Sequence, residues 1–538
     1  MFNYLSRENI HIFSILVMMV GLPLSPFLMT VGQVLFVANW LFDTDIFDKI
    51  KRALTNKLTL SFLAIILLHF IGLLYTDNFD YALRDLRVKL PLLTLPLVFA
   101  TTKPLSEQQW RGLFKLFGIA VLIGTIVSSY LLFTGALFEM SSIRRISNFI
   151  SHIRFSLMIC LTIFVFLYMA VFNTQYDKKF RWWGIPVAIW LALFLVLLRS
   201  LTGLVILGLG LIVFSMYFSS YIKYFPFRLF VRMTMLGLFM ISVSYLVHSY
   251  GRFKNREDIN PKELPTHTVN GTPYKHYTYR EARENGNFVY VNIATPELRK
   301  EWDKRSGLSF GGQDNLGHQL RYTLIRYMAS KGLKKDSAGI SQLTDEDINA
   351  VENGISNHIF LDNFSIYASL YRVFWELERY QEGTNPSGNS IIQRLYYLNA
   401  GWNIFLQNPF FGVGTGDVGD AFQTYYEESN SVLQKRWRLR THNQYVTFML
   451  TFGTVGFLIF LWGIFFPVLY RMIKGTIRLP MLVFLGISLL SMFNEDTLET
   501  QAGALFFAFF YAFFFWGANP QAGKKQINEK AEVENTDN

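Results

Sequence analysis

Residues 503–518 read GALFFAFFYAFFFWGA, without a single charged or amide side chain. A stretch of this kind has no polar face to turn toward water, so it is buried on every side. LALFLVLL (191–198) and LVILGLGLIVFSMYF (204–218) repeat the pattern. A helix of about 20 apolar residues crosses a bilayer, and helices satisfy their own backbone groups there. The 538-residue chain is 51% hydrophobic and 17% charged, and its apolar residues come in blocks. A soluble protein of this length would spread more charge over several domains. The fold expected is therefore an all-α polytopic membrane protein.

Working outward, apolar spans fall near 10–24, 27–42, 58–75, 90–101, 109–133, 153–173, 182–198, 200–219, 228–249, 443–470, 479–494 and 500–517. That makes about twelve transmembrane helices. Nine lie in 1–249, three lie in 443–517, and 518–538 form a polar tail. Between the two groups, residues 250–442 change character and read as one large helical loop domain. Apolar sequence runs from the first span through Pro23 and Pro26 to Trp40, unlike a cleaved signal peptide.

The formal net charge is +11, which in a soluble domain would raise the question of nucleic acid. Here Lys and Arg lie mostly in short links between spans, so they orient the chain in a bilayer and no nucleic-acid partner is expected. With the N-terminus in the cytoplasm, the inner links hold Lys49, Lys51, Arg52 and Lys57, then Lys103 and Arg111. Lys178, Lys179 and Arg181 follow, then Lys223, Arg228 and Arg232, and finally Arg471, Lys474 and Arg478. Nine spans then place the long loop outside and the tail inside. Basic groups that break this rule are the informative ones: Arg84, Arg87, Lys89, Arg144, Arg145, Arg154 and Arg199. Such groups at a membrane edge pair with acids, reach lipid phosphates or serve a site. The single cysteine, Cys160, lies within an apolar block, which excludes an intramolecular disulfide and a cysteine metal site.

Within the loop, Asp314 or Asn315 is expected to cap a helix bearing Leu316, Leu320, Leu324 and Tyr327. Thr344-Asp345-Glu346-Asp347 opens another, and a third carries an aromatic stripe of Phe364, Tyr367, Tyr371, Phe374 and Trp375. Such a stripe is more often packing than a sugar-stacking platform. A turn at Thr384–Gly388 precedes a helix bearing Arg394. No motif in 250–385 connects to chemistry.

Three features do. Arg199 lies between two spans, Arg394 precedes Asn408-Pro409-Phe410-Phe411-Gly412-Val413-Gly414-Thr415-Gly416, and His442 sits in Thr441-His442-Asn443-Gln444-Tyr445. Arginine offers a planar fork of donors to phosphate oxygens and keeps its charge. Histidine takes a proton from a hydroxyl near neutral pH. The set suggests a phosphorylated lipid donor and a hydroxyl acceptor, although a lone histidine is more often a structural partner and Gly-x-Gly-x-Gly more often a turn.

These motifs, with Phe452-Gly453-Thr454-Val455-Gly456-Phe457-Leu458, resemble the O-antigen ligase family. That family includes O-antigen polymerases and bacterial protein O-oligosaccharyltransferases. The resemblance is specific from about 394 to 460 and looser over the earlier spans. It implies a GT-C-like membrane protein of the bacterial inner membrane with its loop and active site in the periplasm. It further implies inverting transfer of a glycan from an undecaprenyl-pyrophosphate carrier to an acceptor hydroxyl, without a metal or other cofactor. Carried over by position, Arg199 and Arg394 would bind the pyrophosphate, with Arg154 as a further candidate, and His442 would activate the acceptor. Two arginines would then stand in place of a divalent ion as neutralisers of the leaving group. The leading expectation is O-antigen ligation to lipid A–core in lipopolysaccharide biosynthesis. A protein acceptor, a growing glycan as acceptor, or a non-enzymatic lipid-linked sugar flippase are the alternatives, but a flippase needs no proton acceptor.

Overall fold

The computed structural model describes residues 6–134, 151–172, 179–198, 200–255, 260–362, 365–383, 386–387 and 390–518. Arg144, Arg145, Arg199, Phe364, the turn residues Thr384, Asn385 and Gly388, and the tail from 519 onward lie outside the described residues. The chain divides into two compact units, Met1–Val231 with Asn385–Asn538, and Arg232–Thr384.

Every apolar stretch marked in the sequence is helical. Among the described residues, 8 helices are long and apolar enough to cross a membrane, or up to 9 if Pro26–Leu41 and Ile46–Thr55, bent by 102°, form one span. The protein is thus a helical, multi-pass membrane protein. The number is lower than the sequence suggests because three helices are short or charged. Leu479–Met492 has 14 residues, Gln501–Ala512 has 12 and ends in a π-turn over Phe513–Gly517, and Phe79–Thr101 carries acids and bases in its first half. Gln501 donates to Thr30 Oγ1 (3.2 Å) at one end of this group, where Lys89 also meets Glu499 (2.9 Å). At the other end Trp40 donates to Thr101 Oγ1 (2.8 Å), and Leu105 N–H to the Gly517 carbonyl (2.7 Å). Pro26–Leu41, the second half of Phe79–Thr101 and Gln501–Gly517 therefore run side by side.

The apolar stretch at 503–518 is the centre of this unit. Phe507, Phe509, Phe510 and Phe513 have 0% exposure, and they meet protein. Tyr511 lies 4.3 Å from Phe62 between ring centroids, and Phe510 5.0 Å from Phe117. Lipid tails are as apolar as phenylalanine, so close packing, not exclusion of water, holds this helix in place. Helix starts follow local chemistry. Ser106 and Gln109 form a capping box before Glu107–Phe133, and Asn56, Asn78 and Asn443 cap the helices after them.

One membrane helix is broken. Gln444–Ile473 is interrupted at Gly453, whose φ of 65° and ψ of −169° are not helical. The break frees backbone groups that lipid cannot satisfy. The segment 409–414 takes them up: Val413 and Gly414 N–H bond the carbonyls of Leu450 and Thr451 (both 2.9 Å), and Thr454 N–H bonds that of Pro409 (2.8 Å). Two backbones this close leave no room for side chains. A Cβ on Gly453 would stand 2.1 Å from the carbonyl carbon of Phe410, and one on Gly412 2.3 Å from that of Thr451.

In the second unit, the helix expected to begin after Asp314 starts at Leu320 instead. The Asp314 carboxylate accepts from the N–H groups of Leu316 (3.0 Å) and His318 (2.9 Å) and from Thr323 Oγ1 (2.7 Å). That holds a turn in place of a helix start, and Leu316 is left exposed. The Thr344–Asp347 capping box is present. Tyr371 and Phe374 of the aromatic stripe pack on Phe253 at 5.1 and 5.7 Å, so these rings are core. Asn285 and Gly286, both at positive φ, turn a two-residue hairpin.

Candidate active site

The site is organised by the short link Phe493–Thr500 between two buried helices. Its three carboxylates hold the helix of Arg394, the segment 440–447 and the helix of Lys89. Glu495 Oε1 accepts from Arg394 Nη2 (2.8 Å), while Asn494 Oδ1 accepts from Arg394 Nη1 (3.0 Å). Asn494 also donates to Thr202 Oγ1 (2.9 Å). Asp496 Oδ1 accepts from Thr441 (3.1 Å) and Thr447 (3.0 Å), and its Oδ2 from the backbone N–H of His442 (3.1 Å). Glu499 Oε2 accepts from Lys89 (2.9 Å) and Arg440 (3.2 Å), and its Oε1 from Gln444 (3.1 Å). Glu499 thus grips the chain two residues before and two residues after His442.

Those contacts fix an unusual backbone. His442 has a φ of 49°, in the left-handed region, although it is not glycine. Such a conformation persists where surrounding contacts over-determine it. The imidazole projects half-buried beside Tyr397, with ring centroids 5.6 Å apart. Neither ring nitrogen has a hydrogen-bond partner among the described residues.

A cavity of about 720 Å³ opens against this histidine, within the range of sites for sizeable ligands. Arg154, Lys435, Arg438, Arg440 and His442 line it together with Tyr81, Tyr426, Glu427, Glu495, Asp496 and Glu499. Arg154 Nε is buried without a hydrogen-bond partner among the described residues. Charge and burial set the protonation states. Burial lowers the pKa of His442 below its ordinary 6.5; Asp496 opposes this, and Arg394, Arg440 and Arg154 reinforce it. The imidazole is therefore neutral at pH 7 and able to accept a proton. Burial pushes Glu495 up, with Arg394 and Arg154 pulling it back in part. Burial also acts to raise Glu499, but Lys89 and Arg440 outweigh it and hold that carboxyl well below the usual range.

Of the residues singled out in the sequence, the structure brings His442, Arg394 and Arg154 into one neighbourhood. Arg199 lies outside the described residues. The glycine segment has a different role from a phosphate cradle. Its N–H groups at Gly412, Val413 and Gly414 are spent on carbonyls, and that of Gly416 on Thr76 Oγ1 (2.8 Å). Sequence reading missed Lys89 as a partner within the site, along with Tyr397, Arg440 and the acids Glu495, Asp496 and Glu499. The available signal was the acidic link itself, since acids at a membrane edge mark where nearby cations find partners.

A family model described as O-antigen ligase matches residues 349–461. These residues form an O-antigen ligase domain. The O-antigen ligase domain takes in Arg394, Tyr397, the glycine segment, His442 and the broken helix as far as Leu461. Its partner carboxylates at 495–499 come from outside it. A match to the O-antigen ligase model over these residues implies a glycosyltransferase-type activity for this domain. No curated protein matches the chain.

Proposed function

We propose that the protein transfers a glycan from an undecaprenyl-pyrophosphate carrier to an acceptor hydroxyl, and that the acceptor is lipid A–core. The observation that carries this reading is a neutral, half-buried His442, its ring nitrogens without a partner among the described residues, on the wall of a cavity lined by arginines. In the proposed reaction a ring nitrogen of His442 takes the acceptor's hydroxyl proton. The acceptor oxygen forms the new bond to the anomeric carbon, the carbon–oxygen bond to phosphate breaks, and its electron pair leaves with the pyrophosphate. Attack opposite the leaving group inverts the anomeric centre.

Arg199, Arg394 and Arg154 are the proposed pyrophosphate ligands, supplying the positive charge a divalent ion would otherwise provide. Arg394 is held by Glu495, and a pyrophosphate, with more charge than a carboxylate whose proton affinity burial has raised, competes well for that guanidinium. The setting proposed is the inner membrane, with twelve crossings and the site on the periplasmic side. The side-by-side course of the short helices supports the count, and the basic inner links support the side.

The test is His442→Ala, compared with wild type at equal membrane insertion, scored by glycan transfer. Loss of a general base costs about 10²–10⁴ in rate. Normal transfer by an inserted His442→Ala protein would falsify the assignment. Deleting the gene identifies the acceptor. A missing O-antigen ladder with intact core is expected, whereas unglycosylated secreted proteins with normal lipopolysaccharide would point to a protein acceptor.

A further inference from the structure

Tyr397 carries a hydroxyl that nothing in the described structure satisfies. The residue is 2% exposed, and its Oη has no hydrogen-bond partner among the described residues. The other buried tyrosines each have one. Tyr274 bonds Asp336, Tyr327 bonds Asp347, and Tyr371 accepts from Asn285 N–H (3.0 Å). Tyr426 donates to the Leu439 carbonyl (2.8 Å), and Tyr511 to that of Ile464 (2.9 Å). A buried O–H is normally paired, so the exception calls for a partner.

Its position says which kind. Tyr397 lies three residues after Arg394 in helix Ser390–Gln407, so the two share a helix face. Its ring stands against His442, at 5.6 Å between centroids. Burial pushes its phenol up to about 12, with Arg394 pulling the other way. Tyr397 therefore stays protonated and acts as a donor, which leaves His442 as the group that accepts a proton.

We propose that Tyr397 is a catalytic residue that donates its O–H to a phosphoryl oxygen of the leaving pyrophosphate, beside the guanidinium of Arg394. This rests on the transfer reading above. As the bond to the anomeric carbon breaks, negative charge gathers on that oxygen, and a neutral donor there binds the transition state more tightly than the ground state.

Tyr397→Phe isolates the point, because it keeps the ring and removes only the unpaired hydroxyl. In the full-length protein, kcat should fall about 10²-fold, the lower end of what loss of one preorganised donor costs, with KM for the acceptor unchanged. The thermal midpoint should equal or exceed that of wild type, since an unsatisfied polar group is lost. Binding of undecaprenyl pyrophosphate, measured without turnover, should weaken about tenfold or more. Wild-type kcat in Y397F, or a lowered midpoint that accounts for its loss of activity, overturns the inference. If wild type transfers no glycan, the functional reading fails instead. The binding measurement then still decides whether the hydroxyl meets a pyrophosphate, and equal affinity of Y397F and wild type would refute it.

Discussion

At the scale of single residues, the site is a balance between cations at a membrane edge and three acids on one short link. His442 must be neutral to take a proton, and it binds one only as the pH falls through its own lowered pKa. The acid limb of kcat/KM is therefore expected below the ordinary histidine value of 6.5, with full activity held through neutrality. Removing one of the three depressing charges, in Arg154→Gln, should move that limb upward toward 6.5, even as the overall rate drops. Transfer rates measured from about pH 4.5 to 8 check both points. An acid limb above 6.5 in wild type would contradict the environment described for the imidazole. The sequence marked Arg154, Arg394 and His442 because arginine and histidine are conspicuous beside apolar runs. It could not mark their partners. Glu499 meets Lys89 across most of the length of the chain, and spacing carries no record of such a meeting.

At the scale of elements, the glycine motif is a latch. Asn408–Gly416 reads in sequence as a turn or a phosphate cradle, yet its donors close the gap in the helix broken at Gly453. Periodicity alone gives an unbroken apolar span over 443–470, because a single glycine leaves the hydrophobic pattern intact. The break is visible only through the carbonyls that 409–414 must reach. Alanine at Gly453 is therefore expected to destabilise the protein strongly. It demands a left-handed conformation and places a Cβ 2.1 Å from a backbone carbon. Strain of that kind costs about 1–3 kcal/mol before the clash is counted. Gly486, in the helix Leu479–Met492, has nothing within 4 Å of its Cβ position, and Gly486→Ala should be neutral or up to about 1 kcal/mol stabilising. Thermal unfolding of both variants in detergent gives the comparison. Equal midpoints would mean that the latch contributes nothing to stability.

At the scale of the whole molecule, the side of the membrane on which the loop lies depends on parity. Among the described residues, seven of the long apolar helices precede the loop. Counting the bent pair makes eight, and counting Phe79–Thr101 as well makes nine. Seven or nine put the loop opposite the N-terminus, whereas eight put the two on one side. Hydropathy cannot choose, since Phe79–Thr101 carries Asp80, Arg84, Asp85, Arg87 and Lys89. Packing favours nine. Lys89, midway along Phe79–Thr101, meets Glu499 beside the start of Gln501–Gly517, and Leu105 just beyond its end meets Gly517, so the second half of Phe79–Thr101 runs along that buried helix. Lys89, the charge that lies beside the buried helix, does not prevent crossing, because it is 3% exposed and bonded to both Asp85 and Glu499, while Asp80, Arg84 and Arg87 are exposed in the first half of the helix. Pro26–Leu41 runs the same course, from Gln501 to Thr101. A topology reporter near residue 330 is accordingly expected to read extracytoplasmic, and one in the link at Lys103 cytoplasmic. A cytoplasmic signal near 330 would mean that an even number of helices precedes the loop. Since Lys103 follows both helices in question, the second reporter would then tell whether the miscount lies before it or in the five long helices after it.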